Sequence, residues 1–448
     1  MSESKSYIED TIVASASAAG VGGVNIIRVS GPKVEDIIKN VLREMPRPRL
    51  ATHSRFFNKK NEILDMGIAI YFPCPSSFTG ESVLELHAHG GMFVGKAIID
   101  EIINLGARQA EAGEFTKRAF LNGKLDLVQA EAIADLVSSG SKKSAQAAMR
   151  SLSGTFSNLI EALSKQLIRL RLHVEAAIDF PEEEIDFLTD DDLLHEIKVC
   201  ESSFKSVIGG ASTGQILNDG IQVAIIGLPN AGKSSLLNLL SGQDTAIVAD
   251  VAGTTRDIIK TSIDIDGLCV EFFDTAGFHD NPGEIEAEGI RRTNELLKVV
   301  DLAIWVHDYS EENKINKQFI PSSLKHILAL NKIDLLSQMP DKIKDDNSVY
   351  FSARTGAGLD DLFKAITKCV AYETDGDGAF TARIRHIEAL KSSFNHFKVG
   401  QKALQEKKAG EIFAEEIKLS HKALGEITGQ LSDDELLGKI FSEFCIGK

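Results

Sequence analysis

The sequence predicts a multidomain chain: an α+β domain first, an α-helical domain split into two sequence-distant parts, and an α/β domain inserted between those parts. Three observations predict it. Short β-type runs alternate with two helical stretches over residues 1–122. Apolar residues at three- and four-residue steps fill 123–215 and return over 375–448. Between them, over 216–374, strand-like and helix-like runs alternate around one glycine-bounded loop. At 448 residues the chain exceeds one ordinary hydrophobic core.

In the first domain the β-type runs are Thr11–Ala14, Val24–Val29, Gly67–Phe72 and Val83–Ala88. Val34–Leu42 and Met92–Leu105 carry apolar residues at helical spacing, the second behind Gly90 and Gly91, and are expected to cover one face of a sheet. In the helical region Leu125, Leu127, Val128, Ala132, Ile133 and Leu136, then Leu152, Leu159, Ile160, Leu163, Leu167 and Leu170, mark long amphipathic helices. Pro181 and Glu182–Glu184 interrupt the pattern, which resumes near Leu193. Gly209–Gly214 reads as a linker, and Asp375–Gly378 as a second flexible boundary. Insertion at an exposed loop of a helical bundle leaves the two halves of that bundle to pack together.

The formal net charge of −16 disfavours non-specific attraction to nucleic acid, so any RNA binding must use local basic patches. Five cysteines, Cys74, Cys200, Cys269, Cys369 and Cys445, are scattered without C-x-x-C spacing, which argues against a disulfide framework or a zinc site and fits a reducing compartment. No apolar run reaches the ~18 residues of a membrane span, and Met1–Lys5 lacks a secretory signature, so no membrane association and a cytoplasmic location are expected. His87 and His89 share one strand face, but no third metal ligand is placed, which favours paired surface histidines. Cys445 stands fourth from the end, yet Gly447 and Lys448 fit a prenylation signal badly.

The glycine-bounded loop is Gly227-Leu228-Pro229-Asn230-Ala231-Gly232-Lys233-Ser234, between the apolar run Ile221–Ile226 and the helix-like Ser235–Leu240. Strand, loop and helix in this order read as a P-loop, in which backbone N–H groups wrap a β-phosphate at a helix N-terminus. Lys233 would reach the β- and γ-phosphates and Ser234 would ligate Mg²⁺. A plain glycine-rich turn is the structural alternative. The base is read elsewhere: Asn331-Lys332-Ile333-Asp334 follows the strand-like Ile327–Leu330, and the Asp334 carboxylate suits the N1–H and amino group of guanine, which adenine lacks. Asn331 would donate to the other edge of the base. After Val349–Phe351, Ser352-Ala353-Arg354 would bring the Ala353 N–H to guanine O6.

Asp274-Thr275-Ala276-Gly277 closes the run Val270–Phe273; Asp274 would hold Mg²⁺ through water and the Gly277 N–H would sense the γ-phosphate. Gly253-Thr254-Thr255-Arg256-Asp257 supplies a hydroxyl, Thr255, as a further Mg²⁺ ligand. The order of these elements is that of a Ras-like domain binding GTP. Phe278 stands where Ras-like enzymes carry the glutamine that orients the attacking water, so another polar group must hold it; Glu284, Glu286 and Glu288 are the local candidates. No arginine finger is evident in cis, a charge worth roughly 10³- to 10⁵-fold in rate. A monovalent cation beside the phosphates would replace it, with Asn230 as an oxygen donor; the alternative is Asn230 as a loop-shaping residue.

The chain also resembles, along nearly its full length, the MnmE (TrmE) family of tRNA-modification GTPases. The resemblance extends to Gly113–Leu127, to Val174–Pro181 and to the terminal Phe444-Cys445-Ile446-Gly447-Lys448, none of which generic GTPases have. It implies an N-terminal folate-binding domain that also forms the homodimer, a discontinuous helical domain and an inserted G domain. It implies K⁺-dependent hydrolysis, with Asn230 and Thr254 offering side chains and Ala249 and Val251 carbonyls to K⁺, and it selects Glu286 to orient the water. The GTP contacts it implies are Asn230, Ala231, Gly232, Lys233, Ser234 and Ser235; Ala249, Asp250, Val251, Ala252, Gly253, Thr254 and Thr255; Asp274–Gly277; and Asn331, Lys332, Asp334, Ser352, Ala353 and Arg354.

With the FAD-containing partner MnmG, such proteins install a (carboxymethyl)aminomethyl-type group at C5 of the wobble uridine of certain tRNAs. A tetrahydrofolate derivative (5-formyl or 5,10-methylene) is the implied one-carbon donor. Arg28, Glu85, Lys124 and Lys448 match the family's folate-contacting positions. Two departures are visible: Gly20–Asn25 lacks the arginine of the family's glycine-rich stretch, and His279 replaces an arginine common after the D-T-A-G segment. The competing expectation is a GTP-controlled scaffold, for instance in ribosome assembly, with no chemistry outside the P-loop.

Overall fold

The computed structural model describes residues 10–447 except 19, 180–190, 243–245, 248–259, 276–290, 292, 311–320, 322–323, 337–346, 371–378, 431–433 and 443. The chain divides into two compact units, Met1–Ala134 with His421–Lys448, and Asp135–Ser420.

The first unit is built on β1 (Ile12–Ser15), β2 (Val24–Ser30), β3 (Thr52–Phe57), β4 (Ile63–Phe72), β5 (Val83–His89) and β6 (Arg108–Gln109). Their spatial order is β3-β4-β5-β2-β1-β6, antiparallel except where β1 meets β6. The helices α1 (Val34–Val41) and α2 (Met92–Asn104) cover one face as expected: Val34, Ile37, Ile38, Ile98 and Ile102 form one core with Ile27, Val29, Phe56, Leu84 and Leu86. The sequence reading did not anticipate β3. It is an edge strand whose one fully buried side chain is Phe56, so it lacks the apolar alternation that marks a strand.

Next comes α3 (Glu114–Leu121), which carries much of the Gly113–Leu127 motif. Arg118, with only 3% of its side chain exposed, lies 2.6 Å from Asp10, 3.1 Å from Glu81 and 2.8 Å from Glu114. Arg108 shares Glu114 at 2.6 Å and Asp10 at 2.5 Å. Glu114 and Arg118 of the motif are therefore committed to a buried ion cluster. The C-terminal segment packs in the same unit: Leu437, Ile440, Phe441 and Phe444 join Leu127 and Ala130 in one cluster. The Gly113 N–H donates to the Cys445 carbonyl at 3.3 Å, Ala112 bridges Ile446, and Gly447 lies against Ser15 of β1.

The helix α4 (Leu127–Ser138) begins in the first unit and ends in the second, which continues with α5 (Lys142–Leu152), α6 (Thr155–Asp179) and α7 (Asp191–Asp219). The run Gly209–Gly214, expected to be a linker, is helical and lies inside α7. Its small residues serve close packing: a Cβ at Gly214 would run into the Phe380 carbonyl, and one at Gly210 would sit 3.3 Å from the Phe380 ring. Ser212 and Thr213 return their hydroxyls to the carbonyls of Ile208 and Gly209, so the polar composition costs the helix little.

The central sheet has the order β13-β12-β11-β7-β10-β9-β8. It comprises β7 (Ile221–Gly227), β8 (Ala246–Ile247), β9 (Lys260–Ile265), β10 (Leu268–Asp274), β11 (Leu302–Asp308), β12 (Lys325–Asn331) and β13 (Ser348–Tyr350). All neighbours are parallel except β9 with β10 and β8 with β9. β7 and β11 read as almost continuous apolar runs because both faces of a parallel sheet are covered. The helices α8 (Lys233–Ser241) and α9 (Leu359–Cys369) belong to this layer. After them α10 (Ile384–Lys407) returns to α7: Phe204 meets Phe394 at 5.3 Å and Phe397 at 5.4 Å, and Glu201 pairs with Lys398 at 3.3 Å. The sequence-distant halves of the helical layer thus pack on each other around an inserted α/β domain. Among the described residues no helix is long and apolar enough to cross a membrane.

Candidate functional site

The carboxyl ends of the parallel strands converge, which is where an open α/β sheet places its ligand. Gly227 ends β7, Asp274 ends β10, Asp308 ends β11 and Asn331 ends β12. Gly227 and Gly232 have φ of +152° and +101°, and a Cβ on either would collide, with the Val306 carbonyl or with the Asn331 amide. Only glycine permits both the backbone and the closeness. Asn230 has φ of +60° and is exposed, a left-handed position that asparagine tolerates, so loop shape by itself accounts for its backbone.

Lys233 opens α8 and is buried, with Nζ 3.1 Å from the Gly227 carbonyl and 2.9 Å from that of Leu228. The ammonium therefore holds the loop's own carbonyls where phosphate oxygens would otherwise compete. Burial pushes its pKa below the ordinary lysine value, against the opposing pull of the Asp274 carboxylate. Ser234 and Ser235 are exposed beside it. The Ser234 hydroxyl donates to Asp274 Oδ2 at 3.3 Å, while the buried Asp274 Oδ1 has no hydrogen-bond partner among the described residues. A hydroxyl next to an orphaned carboxylate oxygen is the hard oxygen set that Mg²⁺ takes, and the residues present fit the ion. Thr275 is turned away, its hydroxyl donating to the Ile225 carbonyl at 2.7 Å.

Asn331 is 2% exposed and ties the two ends of the site together. Its amide donates to the Ala231 carbonyl at 2.8 Å and its carbonyl accepts the Ala353 N–H at 2.9 Å. The motif assigns Asn331 and the Ala353 N–H to the base; here they first bond each other, so guanine would have to share them. Ser352 donates to Asp334 Oδ1 at 2.6 Å and accepts the Thr355 N–H at 3.2 Å, which orients the exposed Asp334 carboxylate. Lys332, at φ +68°, pairs with Asp308. Burial would raise the Asp308 pKa, but the Lys332 ammonium and Ser310 outweigh it and hold the carboxyl low. Asp308 escapes the sequence reading because it ends an almost wholly apolar strand and belongs to no motif. Arg354 is exposed.

Ala249, Asp250, Val251, Ala252, Gly253, Thr254, Thr255, Ala276, Gly277, Phe278, Glu284, Glu286, Glu288 and Lys448 lie outside the described residues. Of the four expected K⁺ donors only Asn230 is described.

In the first unit Arg28 and Glu85 face each other across β2 and β5 and pair at 2.9 Å. The Arg28 guanidinium lies 5.7 Å from the ring centres of Phe78 and Phe115. Lys124 is exposed near this loop, its Cε 3.3 Å from where a Cβ on Gly80 would stand. Beside Glu85, the buried His87 Nε2 has no hydrogen-bond partner among the described residues and stands 3.6 Å from Glu85 Oε2. A carboxylate, an arginine and an unpartnered imidazole nitrogen beside an aromatic ring are chemically suited to a pterin edge. His89 instead pairs with Asp65 at 2.8 Å, and no group of three or more metal-holding side chains occurs among the described residues.

A loop that cradles phosphates, joined through Asn331 to a corner that reads guanine, defines a GTP-binding protein of the P-loop class. Two families match the chain: "GTP-binding protein TrmE N-terminus" over residues 11–124 and "MnmE helical domain" over residues 127–445. Proteins named tRNA modification GTPase MnmE are similar throughout. That of Hydrogenovibrio crunogenus is 45% identical, covering 98% of this chain and 99% of its own. Those of Coxiella burnetii and Vibrio parahaemolyticus are 45% identical with the same coverage. The chain belongs to the MnmE family of tRNA modification GTPases.

Proposed function

We propose that the protein is a K⁺-dependent GTP hydrolase that acts on tRNA. With an FAD-containing MnmG partner it would add a (carboxymethyl)aminomethyl-type group at C5 of the wobble uridine, drawing one carbon from a tetrahydrofolate derivative. The observation that carries this reading is the full-length similarity to relatives named for tRNA modification, in a chain whose own P-loop and guanine corner are joined by Asn331.

In this reading Lys233 moves its ammonium from the Gly227 and Leu228 carbonyls onto the β- and γ-phosphates. Ser234 and Thr255 hold Mg²⁺, with Asp274 behind them, and the ion would supply charge neutralisation between those phosphates. Asn230, Thr254, Ala249 and Val251 hold K⁺, which would supply the positive charge an arginine finger gives elsewhere. Glu286 orients the attacking water in place of a glutamine. Arg28, Glu85, Lys124 and Lys448 bind the folate, and the first unit forms the homodimer. Domain limits at 122, 215 and 374 belong to the same proposal; the limit at 215 falls within α7.

The test is nucleoside mass spectrometry of tRNA from cells lacking this chain. Loss of the wobble modification is expected, and unchanged wobble uridines would leave a GTP-controlled scaffold as the better description. For hydrolysis, Glu286→Ala is expected to keep GTP affinity and lower turnover about 10²- to 10⁴-fold. Replacing K⁺ by Na⁺ is expected to slow the unaltered protein at least tenfold. Equal rates in the two salts would remove the cation from the mechanism.

A further inference from the structure

The region around β3 contradicts the acidity of the chain. Residues 39–60 contain seven Lys and Arg against one acidic residue, Glu44, in a protein of formal charge −16. We propose that this basic edge, formed by β3 and the turns at its two ends, is the surface that receives the phosphate backbone of tRNA. The inference rests on the reading of the protein as one that acts on tRNA and adds where that RNA sits.

The geometry makes a continuous stripe. β3 is the outer strand of its sheet, with Arg55 and His53 exposed along it over ~20 Å. Arg43, Lys59 and Lys60 lie at one end and Arg47 and Arg49 near the other, all exposed. Several are held in place by neutral groups. Arg43 donates to the Asn58 carbonyl at 3.1 Å and to Asn61 Oδ1 at 2.6 Å, and lies 5.6 Å from the Phe57 ring centre. Arg49 donates to the Ser76 carbonyl over the Phe72 ring, and Lys59 Nζ to the Asn104 carbonyl at 2.7 Å. The nearby acids are turned to uncharged donors: Glu62 takes the Asn58 amide at 2.7 Å and Glu101 the Lys59 backbone N–H at 3.0 Å.

Among the described residues, Lys39 of the seven has an ion-pair partner, Asp36 at 3.3 Å, and the other six cations have none. Elsewhere the protein neutralises its surface cations at helical spacing, as in Lys165 with Glu161, Arg171 with Glu175 and Lys205 with Glu201. Positioned guanidiniums left without carboxylates suit phosphate, which arginine binds through two parallel N–H bonds. Protection of an edge strand from pairing needs a cation or two on the strand. It does not call for cations in both flanking turns.

The test uses the full chain, unmodified tRNA and a salt series from 50 to 200 mM. Arg47, Arg55 and Lys60 make no side-chain hydrogen bond in the stripe, so R47A/R55A/K60A removes charge with little disturbance of structure. Its affinity is expected to fall about 10- to 100-fold, and the slope of log K against log salt by about 2 to 3, at 0.7 to 0.9 per phosphate contact. The charge-keeping R47K/R55K/K60R, and K96A on α2 outside the stripe, are expected to match the unaltered protein. If the unaltered chain binds tRNA and the triple alanine variant binds with the same slope, the stripe is not the docking surface, and aggregation of that variant would mark it as edge protection. If the unaltered chain does not bind tRNA even at 50 mM salt, the tRNA reading falls along with it.

Discussion

Asn331→Ala is expected to weaken GTP binding about 100-fold or more, the largest loss from any single side chain that need not touch phosphate. The substitution removes two buried hydrogen bonds, at 2.8 and 2.9 Å, and leaves the Ala231 carbonyl and the Ala353 N–H without partners. An orphaned buried polar group costs about 1–3 kcal/mol, and 1.4 kcal/mol is tenfold in affinity. Because one orphan lies in the phosphate loop and the other in the guanine corner, the penalty falls on the two loops the nucleotide must find in register. Asn331→Asp is expected to fare no better, since it sets an oxygen against the Ala231 carbonyl. Titration with a fluorescent guanine nucleotide reads the effect; an affinity within threefold of the unaltered protein would show that the tie is not what aligns the loops.

Arg118→Ala is expected to destabilise the first unit by about 3–5 kcal/mol, because it removes the buried cation that Asp10, Glu81 and Glu114 share and leaves Arg108 alone to balance Asp10 and Glu114. The same cluster sets an acid limit. Burial would raise the Glu114 carboxyl, but Arg108, the Glu111 N–H and Arg118 outweigh it and bring the pKa from 4.5 to about 2. With the folded value below the unfolded one, the contribution of Glu114 is fully present above pH 4.5 and is lost as the pH falls toward about 2. In Arg118→Ala that contribution should be smaller and its loss complete at a higher pH, since part of what depresses Glu114 is gone. Thermal denaturation of both proteins between pH 7 and pH 3 checks this; parallel curves would show that Arg118 does not govern the titration.

The site was legible in the sequence where its chemistry is local. Gly227–Ser234 and Asn331–Asp334 are contiguous, and their residue types follow from phosphate and guanine themselves. What depended on distant parts of the chain was not legible. Asn331 was assigned to the base, and its bonds to Ala231 and Ala353 depend on loops 100 and 22 residues away. Gly209–Gly214 looked like a linker because small residues suit both a flexible segment and a helix pressed against Phe380. β3 went unread because an edge strand with one buried residue has no period. The basic stripe was masked by a net charge summed over the whole chain.

The junction between α7 and β7 has a mechanical consequence. A 29-residue helix, about 44 Å long at 1.5 Å per residue, ends one residue before the strand that carries the phosphate loop. That residue is Gly220, at φ +68°, where a Cβ would stand 2.7 Å from the Cys269 carbonyl. So short a joint leaves little slack, so a shift of the nucleotide strand would be passed to the helix and to the helices packed on it. A tilt of about 5° at Gly220 carries the far end of a ~44 Å arm through about 4 Å. A rearrangement around the γ-phosphate too small to reshape the sheet would thus be magnified into a displacement as large as a side chain at Asp191.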